Sequence, residues 1–168
     1  YYNKSSIKNG FIDIFLLSKC KYLIGDSSGM SMAPLMFRKR SLYTNVSELH
    51  SMSFIDSIYK PIIIMKKFKL LQTNEYLPYS FVLKKKLSEV DNVDILNKLG
   101  YDIEDNSEDE LLNATNEMDY LIDNKEYLDR DINLEKKFND ILIRYNYYPL
   151  QKSKISHYFL KKNIDLLN

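Results

Sequence analysis

The segment whose residue types and spacing best suit chemistry is Gly25-Asp26-Ser27-Ser28-Gly29. Glycines at either end allow tight backbone geometry and close approach of a ligand. The Ser27 and Ser28 hydroxyls can donate to phosphate oxygens, alongside main-chain N–H groups. An apolar run precedes this segment and a helical pattern follows, so a strand, a turn and a helix N-terminus converge on one point. Such a point favours anions, phosphate above all, because unpaired N–H groups and the positive end of the helix dipole meet there. A nucleotide or nucleotide-sugar site is the chemistry implied. Asp26 is ill suited to touch phosphate and reads as a cap of the turn. Gly, Ser and Asp are also ordinary turn formers, so a plain strand-to-helix connection is the competing reading. Neither GxxxxGK[ST] nor GxGxxG occurs, so a P-loop NTPase or an ordinary dinucleotide fold has no support.

Further candidates follow a second short strand pattern. Ligands of open parallel sheets bind at the carboxyl ends of the strands, so Asn45, Ser47, Glu48 and His50 are expected beside the serine turn. Glu48 can accept from a ribose or sugar hydroxyl, and His50 can meet phosphate or act as a base. A lone loop histidine is more commonly a surface residue. Asp13 precedes the turn on a helix and could act as a base, although polar-face carboxylates are usual on such helices. His157 is assigned no role. Two histidines, one cysteine and no HxxxH or DxD pattern leave no metal set, and no Ser/His/Asp or paired-carboxylate constellation can be assembled.

The elements that must position these residues alternate. Periodicity predicts a short amphipathic helix over 11–20, ending near a buried, structural Cys20. A strand over Tyr22–Ile24 leads to a helix capped by Ser31, with Pro34 in its first turn and Met32, Leu35, Met36 and Phe37 packed inward. Ser41–Asn45 is a second strand. This order predicts an α/β domain, a Rossmann-like parallel sheet with a helical C-terminal extension. Residues 47–59 read as a loop with one helical turn, 61–65 as a strand or extended segment, and 79–87 as helical. Asn106-Ser107 with Glu110 is a capping-box signature ahead of the stripe Leu111, Ala114, Met118, Leu121 and Ile122. Helices are predicted from about Leu134, with Phe138, Ile141, Leu142 and Tyr145 on one face, and again around Ile155–Leu160. Acidic Asp102–Glu110 reads as a mobile connector. Residues 1–105 are expected to form the nucleotide-sugar-binding part, and 106–168 the helices packed on it.

Composition bounds the function. At 168 residues and 45% hydrophobic the chain is the size of one domain with a real core. A single cysteine allows no internal disulfide and suits a reducing, cytoplasmic setting. No apolar run is long enough to span a bilayer. Tyr1 opens the sequence without a methionine or leader, so the chain reads as a fragment. Residues 1–70 hold eleven Lys/Arg against four Asp/Glu, while 88–135 hold three against sixteen. The basic part suits a phosphate ligand, and the alternative is that both parts are ordinary solvated faces. No basic stripe interleaves with stacking aromatics, which argues against nucleic acid.

Asp13-Ile-Phe-Leu-Leu-Ser-Lys-Cys-Lys-Tyr-Leu-Ile-Gly-Asp-Ser-Ser-Gly29, then Phe37 and Leu42-Tyr-Thr-Asn45, resembles the C-terminal domain of GT-B glycosyltransferases, and closest a bacterial family found with surface-polysaccharide genes. That family's pattern is an Asp-Ile-aliphatic helix, a strand, Ser-Ser-Gly, a helix ending Phe-Gly-Lys-Pro, and a strand ending Thr-Asn. Residues 106–118 and Phe159-Leu-Lys-Lys-Asn163 also resemble its tail. The resemblance covers roughly 8–45, 103–122 and 155–168, and is loose between 46 and 102. It implies donor diphosphate contacts at Ser27, Ser28, Gly29 and Met30, with Asn45 and Glu48 near the nucleoside or sugar. It implies a nucleotide diphosphate sugar as substrate, no cofactor and no required metal. A glycan or lipid-linked acceptor would be held by an N-terminal domain absent from this chain, which would also hold any catalytic base. The setting implied is cytoplasmic, or peripheral at the inner membrane. A nucleotide-sugar epimerase of the same fold and a degenerate, non-catalytic interaction module are the alternatives. Where the family has Phe-Gly-Lys-Pro, this chain has Phe37-Arg38-Lys39-Arg40, so a non-glycine residue must take or avoid a left-handed helix cap at a cost of about 1 kcal/mol.

Overall fold

The computed structural model describes residues 4–26, 33–51, 59–127 and 131–168. Strands β1 (Tyr22–Gly25), β2 (Arg40–Val46), β3 (Ile62–Met65) and β6 (Lys154–Ile155) form one sheet in the order β1-β2-β3-β6. Every pairing in it is parallel. A separate antiparallel ribbon pairs β4 (Lys67–Leu70) with β5 (Tyr101–Glu104). The expected class is what the chain adopts: α/β, Rossmann-like, with a helical C-terminal region. That region also supplies the fourth strand of the sheet, β6.

Around these strands lie α1 (Gly10–Lys19), α2 (Ala33–Met36), α3 (Tyr79–Lys84), α4 (Val93–Lys98), α5 (Glu108–Asn124), α6 (Ile132–Arg144) and α7 (His157–Lys162). Leu49–Ser51, Leu87–Glu89 and Ile164–Leu167 are short 3-10 turns. β3 is buried at all four residues, and β2 at Ser41–Thr44 and again at Val46. Continuous apolar burial of this kind belongs to central parallel strands covered on both faces. α5 packs on β2 and β3 through Ala114, Met118 and Leu121. α6 buries Leu134, Phe138, Ile141 and Leu142, and Phe138 meets Tyr79 of α3 edge to face at 6.0 Å between centroids. The capping box forms as its spacing predicts: the Ser107 N–H donates to Glu110 Oε2 at 2.8 Å, and the Glu110 N–H to Ser107 Oγ at 3.3 Å.

Three expectations are overturned. Asp102–Glu110 is no mobile connector: Asp102 and Glu104 belong to β5, and Asn106 and Glu110 are buried. Glu104 and Asp102 are countercharges to the lysines of β4, opposite them in register as Lys67↔Glu104 and Lys69↔Asp102. Met36 does not pack inward, because α2 ends after one turn and leaves it exposed. α1 forms within one residue of expectation, capped by Asn9, but buries none of its residues. Phe11, Ile14, Phe15 and Leu16 face outward while Ile12 and Leu17 are half-buried, and Cys20 is half-buried just past the helix end, its thiol donating to the Leu17 carbonyl at 3.1 Å. Among the described residues, no helix is long and apolar enough to cross a membrane.

Candidate functional site

Because all four strands run parallel, the ends of β1, β2 and β3 that carry Gly25-Asp26, Asn45–Glu48 and Met65-Lys66 lie at one end of the sheet. Ser27, Ser28, Gly29 and Met30, expected at the donor diphosphate, lie outside the described residues, as do Ser31 and Met32. Gly25 is described. Its φ is not in the left-handed region, and an added Cβ would meet only Leu23 Cδ2 at 3.9 Å. The backbone therefore does not require glycine there.

Asn45 has a structural task. One extra residue in β2 opposite β3 shifts the register between Tyr43 and Val46, and Asn45 takes φ 54° within that bulge. Asparagine tolerates this conformation better than most residues. Its N–H donates to Asn106 Oδ1 at 2.6 Å, and its own Oδ1 accepts the Asn106 N–H at 2.7 Å. The Asn106 Nδ2 then donates to the Met65 carbonyl at 2.7 Å. The side chain just before Ser107 thus clamps the carboxyl ends of β2 and β3 together, which fixes where α5 begins. Glu48 is half-buried two residues beyond β2. His50 is exposed, and its Nδ1 lies 3.0 Å from the Ser88 carbonyl, to which it donates in the tautomer that satisfies both groups. That leaves Nε2 for any further contact.

The charge at this end is not a basic cluster. Lys66, which follows β3, is paired with Asp105 at 2.7 Å. Arg38, Lys39 and Arg40 lead into the opposite, amino end of β2, as Lys21 does for β1 and Lys60 for β3. These five cations lie at the amino ends of the strands, while Lys66, Lys67 and Lys69 follow the carboxyl end of β3 and are each paired with carboxylates.

Much of the charge asymmetry is instead resolved inside the fold. Lys67 is nearly buried, 3.3 Å from fully buried Glu110 and 3.2 Å from Glu104. Burial disfavours the Lys67 cation, but Glu110 and Glu104 more than offset it, so its pKa is raised. Burial likewise disfavours the Glu110 anion, yet the Ser107 N–H, the Asn163 amide and Lys67 bring its pKa below the ordinary value. Glu104 is lowered chiefly by the Tyr76 hydroxyl, which donates to it at 2.7 Å. In α5, buried Glu117 accepts from Ser156 Oγ at 3.0 Å and from the His157 and Tyr158 N–H groups at 3.0 and 2.7 Å, capping α7. Beside it, an open groove of about 440 Å³ runs between α5 and α7, past Asn116, Tyr120, His157 and Lys161.

Sequence spacing gave no sign of a second polar cluster. Tyr147 donates to Glu89 at 2.6 Å across 58 positions, and burial followed by that carboxylate pushes its pKa up to about 12. The same bond holds Glu89 below the usual carboxylate range, with the charge of Lys86 adding to it. Among the described residues, no group of three His, Cys, Asp or Glu side chains could hold a metal ion.

Fold and site together define a Rossmann-like α/β protein whose candidate site is the carboxyl end of a parallel sheet. Compared with family models, curated proteins and solved structures, the chain matches none of them.

Proposed function

We propose that this chain is the donor-binding part of a GT-B-type glycosyltransferase. In this reading a nucleotide diphosphate sugar lies at the carboxyl ends of β1 and β2. The acceptor hydroxyl attacks the anomeric carbon as the bond to the diphosphate breaks. Main-chain N–H groups and hydroxyls of Ser27, Ser28, Gly29 and Met30 stabilise the charge left on the departing diphosphate, with no metal required. The glycan or lipid-linked acceptor, and any base that deprotonates it, belong to a domain outside this chain.

The observation that supports this reading is the backbone at Arg38. The resembled pattern has glycine after the phenylalanine that ends the helix, and here Arg38 adopts φ 55°. Its N–H donates to the Leu35 carbonyl at 3.1 Å and the Lys39 N–H to the Pro34 carbonyl at 2.9 Å. These are the two bonds of a Schellman cap, with Arg38 at the position glycine normally holds. The local geometry that the pattern encodes with glycine is kept without it.

Calorimetric titration with UDP, GDP, CMP and dTDP tests the proposal. Binding of one nucleotide, lost in Gly29→Val and weakened in Ser28→Ala, is the expected result. Binding of none of them overturns it and favours the non-catalytic module. Turnover of a nucleotide sugar without any acceptor would favour the epimerase.

A further inference from the structure

The groove between α5 and α7 has no part in the donor site. Asn116 and Tyr120 line it from α5, His157, Tyr158 and Lys161 from α7, and Glu117 joins the two helices. Its volume of about 440 Å³ lies within the range of sites that hold small molecules, about 300–1,000 Å³. Glu117 stands roughly 15 Å along α5 from the helix start at Ser107. The groove is therefore apart from the carboxyl ends of β2 and β3, which Asn106 clamps.

Some polar groups here are already engaged. Glu117 accepts from Ser156 Oγ and from the His157 and Tyr158 N–H groups. Asn113 Nδ2 donates to the Asp109 carbonyl at 2.8 Å and to its carboxylate at 3.0 Å. The Tyr158 hydroxyl donates to the same carboxylate, and Lys162 pairs with it at 2.8 Å while lying 5.7 Å from the centre of the Tyr158 ring. That ring is thereby held as a fixed wall. The Asn116 carboxamide, the Tyr120 hydroxyl, the His157 imidazole and the Lys161 ammonium have no partner among the described residues.

These groups select a ligand. Asn116, Tyr120 and neutral His157 each offer both a donor and an acceptor, and a hydroxyl needs both. An anion only accepts, and would leave the Asn116 oxygen unanswered beside the carboxylates of Glu117 and Asp109. A cation would meet Lys161. Two carboxylates, Glu117 and Asp109, stand against two ammonium groups, Lys161 and Lys162, so with His157 neutral no net charge draws an ion of either sign. An apolar ligand would strip water from four polar groups and return no hydrogen bonds. We propose that this groove binds a neutral carbohydrate. Its hydroxyls answer Asn116, Tyr120 and His157, and a C–H face of the sugar ring packs on tyrosine. Asn116, Tyr120 and Lys161 are exposed, so the groove admits a unit within a longer chain rather than enclosing a single sugar. It shares no residue with the proposed donor site, and a failure of nucleotide binding leaves it standing.

Titration of the isotope-labelled chain with maltotriose, cellotriose and triacetylchitotriose, followed by NMR, tests this. At least one should shift the amides of Asn116, Tyr120 and His157 saturably, with an affinity that added salt does not weaken. Tyr120→Ala should raise that dissociation constant about 10-fold or more, and Asn116→Ala should raise it by less. Both side chains are exposed, so circular dichroism and Tm of the two variants should match the parent chain. Inorganic phosphate, the probe for an anion site, should leave these amides unmoved. Absence of saturable shifts with all three sugars overturns the proposal. Sugar binding that both substitutions leave unchanged does so too, as does phosphate binding at the same amides.

Discussion

The centre of the molecule and its β1 side obey different rules. In the centre, β2, β3, α5 and α7 bury their apolar faces and answer each buried charge, as Lys67 answers Glu110 and the α7 N-terminus answers Glu117. On the β1 side, α1 buries nothing and α2 is a single turn closed by an arginine in a glycine's conformation. α1 is the more apolar by composition, with six apolar residues of ten against seven of seventeen in α5, so hydrophobicity alone does not decide which region is buried. What separates them is pairing: α5 meets strands, α7 and countercharges, while α1 meets little besides α2 and solvent. The difference teaches that an apolar stripe in sequence predicts burial only where a second surface exists to bury it.

Substitutions should divide along the same line. The largest expected effect is Lys67→Met, which leaves the Glu110 carboxylate buried without its cation and should cost about 3 kcal/mol in urea unfolding. Adding Glu110→Gln, which keeps a capping side chain, should recover more than half of that loss. If Lys67→Met leaves the urea midpoint unchanged, the contrast between the regions collapses.

The same pair sets a pH dependence. The folded pKa values of Glu110 and Glu104 lie below the ordinary 4.5, so their stabilisation is complete above about that pH. It is lost as pH falls through the folded values. Lys67, raised above 10.5, contributes fully below that value and loses its contribution only as pH climbs through its folded pKa. Urea midpoints followed from neutral to acid should therefore fall below about pH 4.5, and fall less in Lys67→Met.

Next in size is Asn106→Ala. It strips the partners from the Asn45 N–H and the Met65 carbonyl and should cost about 2 kcal/mol. Asn45→Gly keeps the left-handed bulge and loses one accepting oxygen, so its urea midpoint should fall less. On the β1 side, Arg38→Gly should raise stability by about 1 kcal/mol, because glycine holds φ 55° without a Cβ clash. The smallest effect is expected for Lys21→Ala. Its pairs with Asp119 and Asp123 are open to water, so no resolvable change in Tm should follow, and a large one would show this side to be tied to α5 more firmly than its exposure implies.

Part of this architecture was readable in the chain. The 3.6-residue stripe over Leu111–Ile122 and the Ser107/Glu110 box place α5 almost to the residue, because capping and periodicity are local properties. Tyr22–Ile24 and Ser41–Asn45 read as strands for the same reason. Lys67-Phe68-Lys69-Leu70 and Tyr101-Asp102-Ile103-Glu104 also alternate with a period of two, but the first carries no assignment from sequence and the second overlaps the acidic stretch read as a connector. Only their pairing across 30 or more positions turns the lysines and carboxylates into opposite rungs of a ribbon. At the candidate site, Asn45 and Glu48 stand at the end of the sheet where the strand order puts them. That Asn45 is engaged by Asn106 lay 61 positions away and could not be read.

The sequence alone determined α1, β1, β2, α5 and α6, their alternation and the parallel class of the sheet, since these follow from side-chain spacing, caps and turns within a few residues. Tertiary structure alone decided which apolar faces found a partner, which carboxylates became countercharges, and that the lysines after β3 are held in ion pairs. Those outcomes depend on distances between residues far apart in the chain. Burial and charge energies are set by such distances, and local pattern carries no record of them.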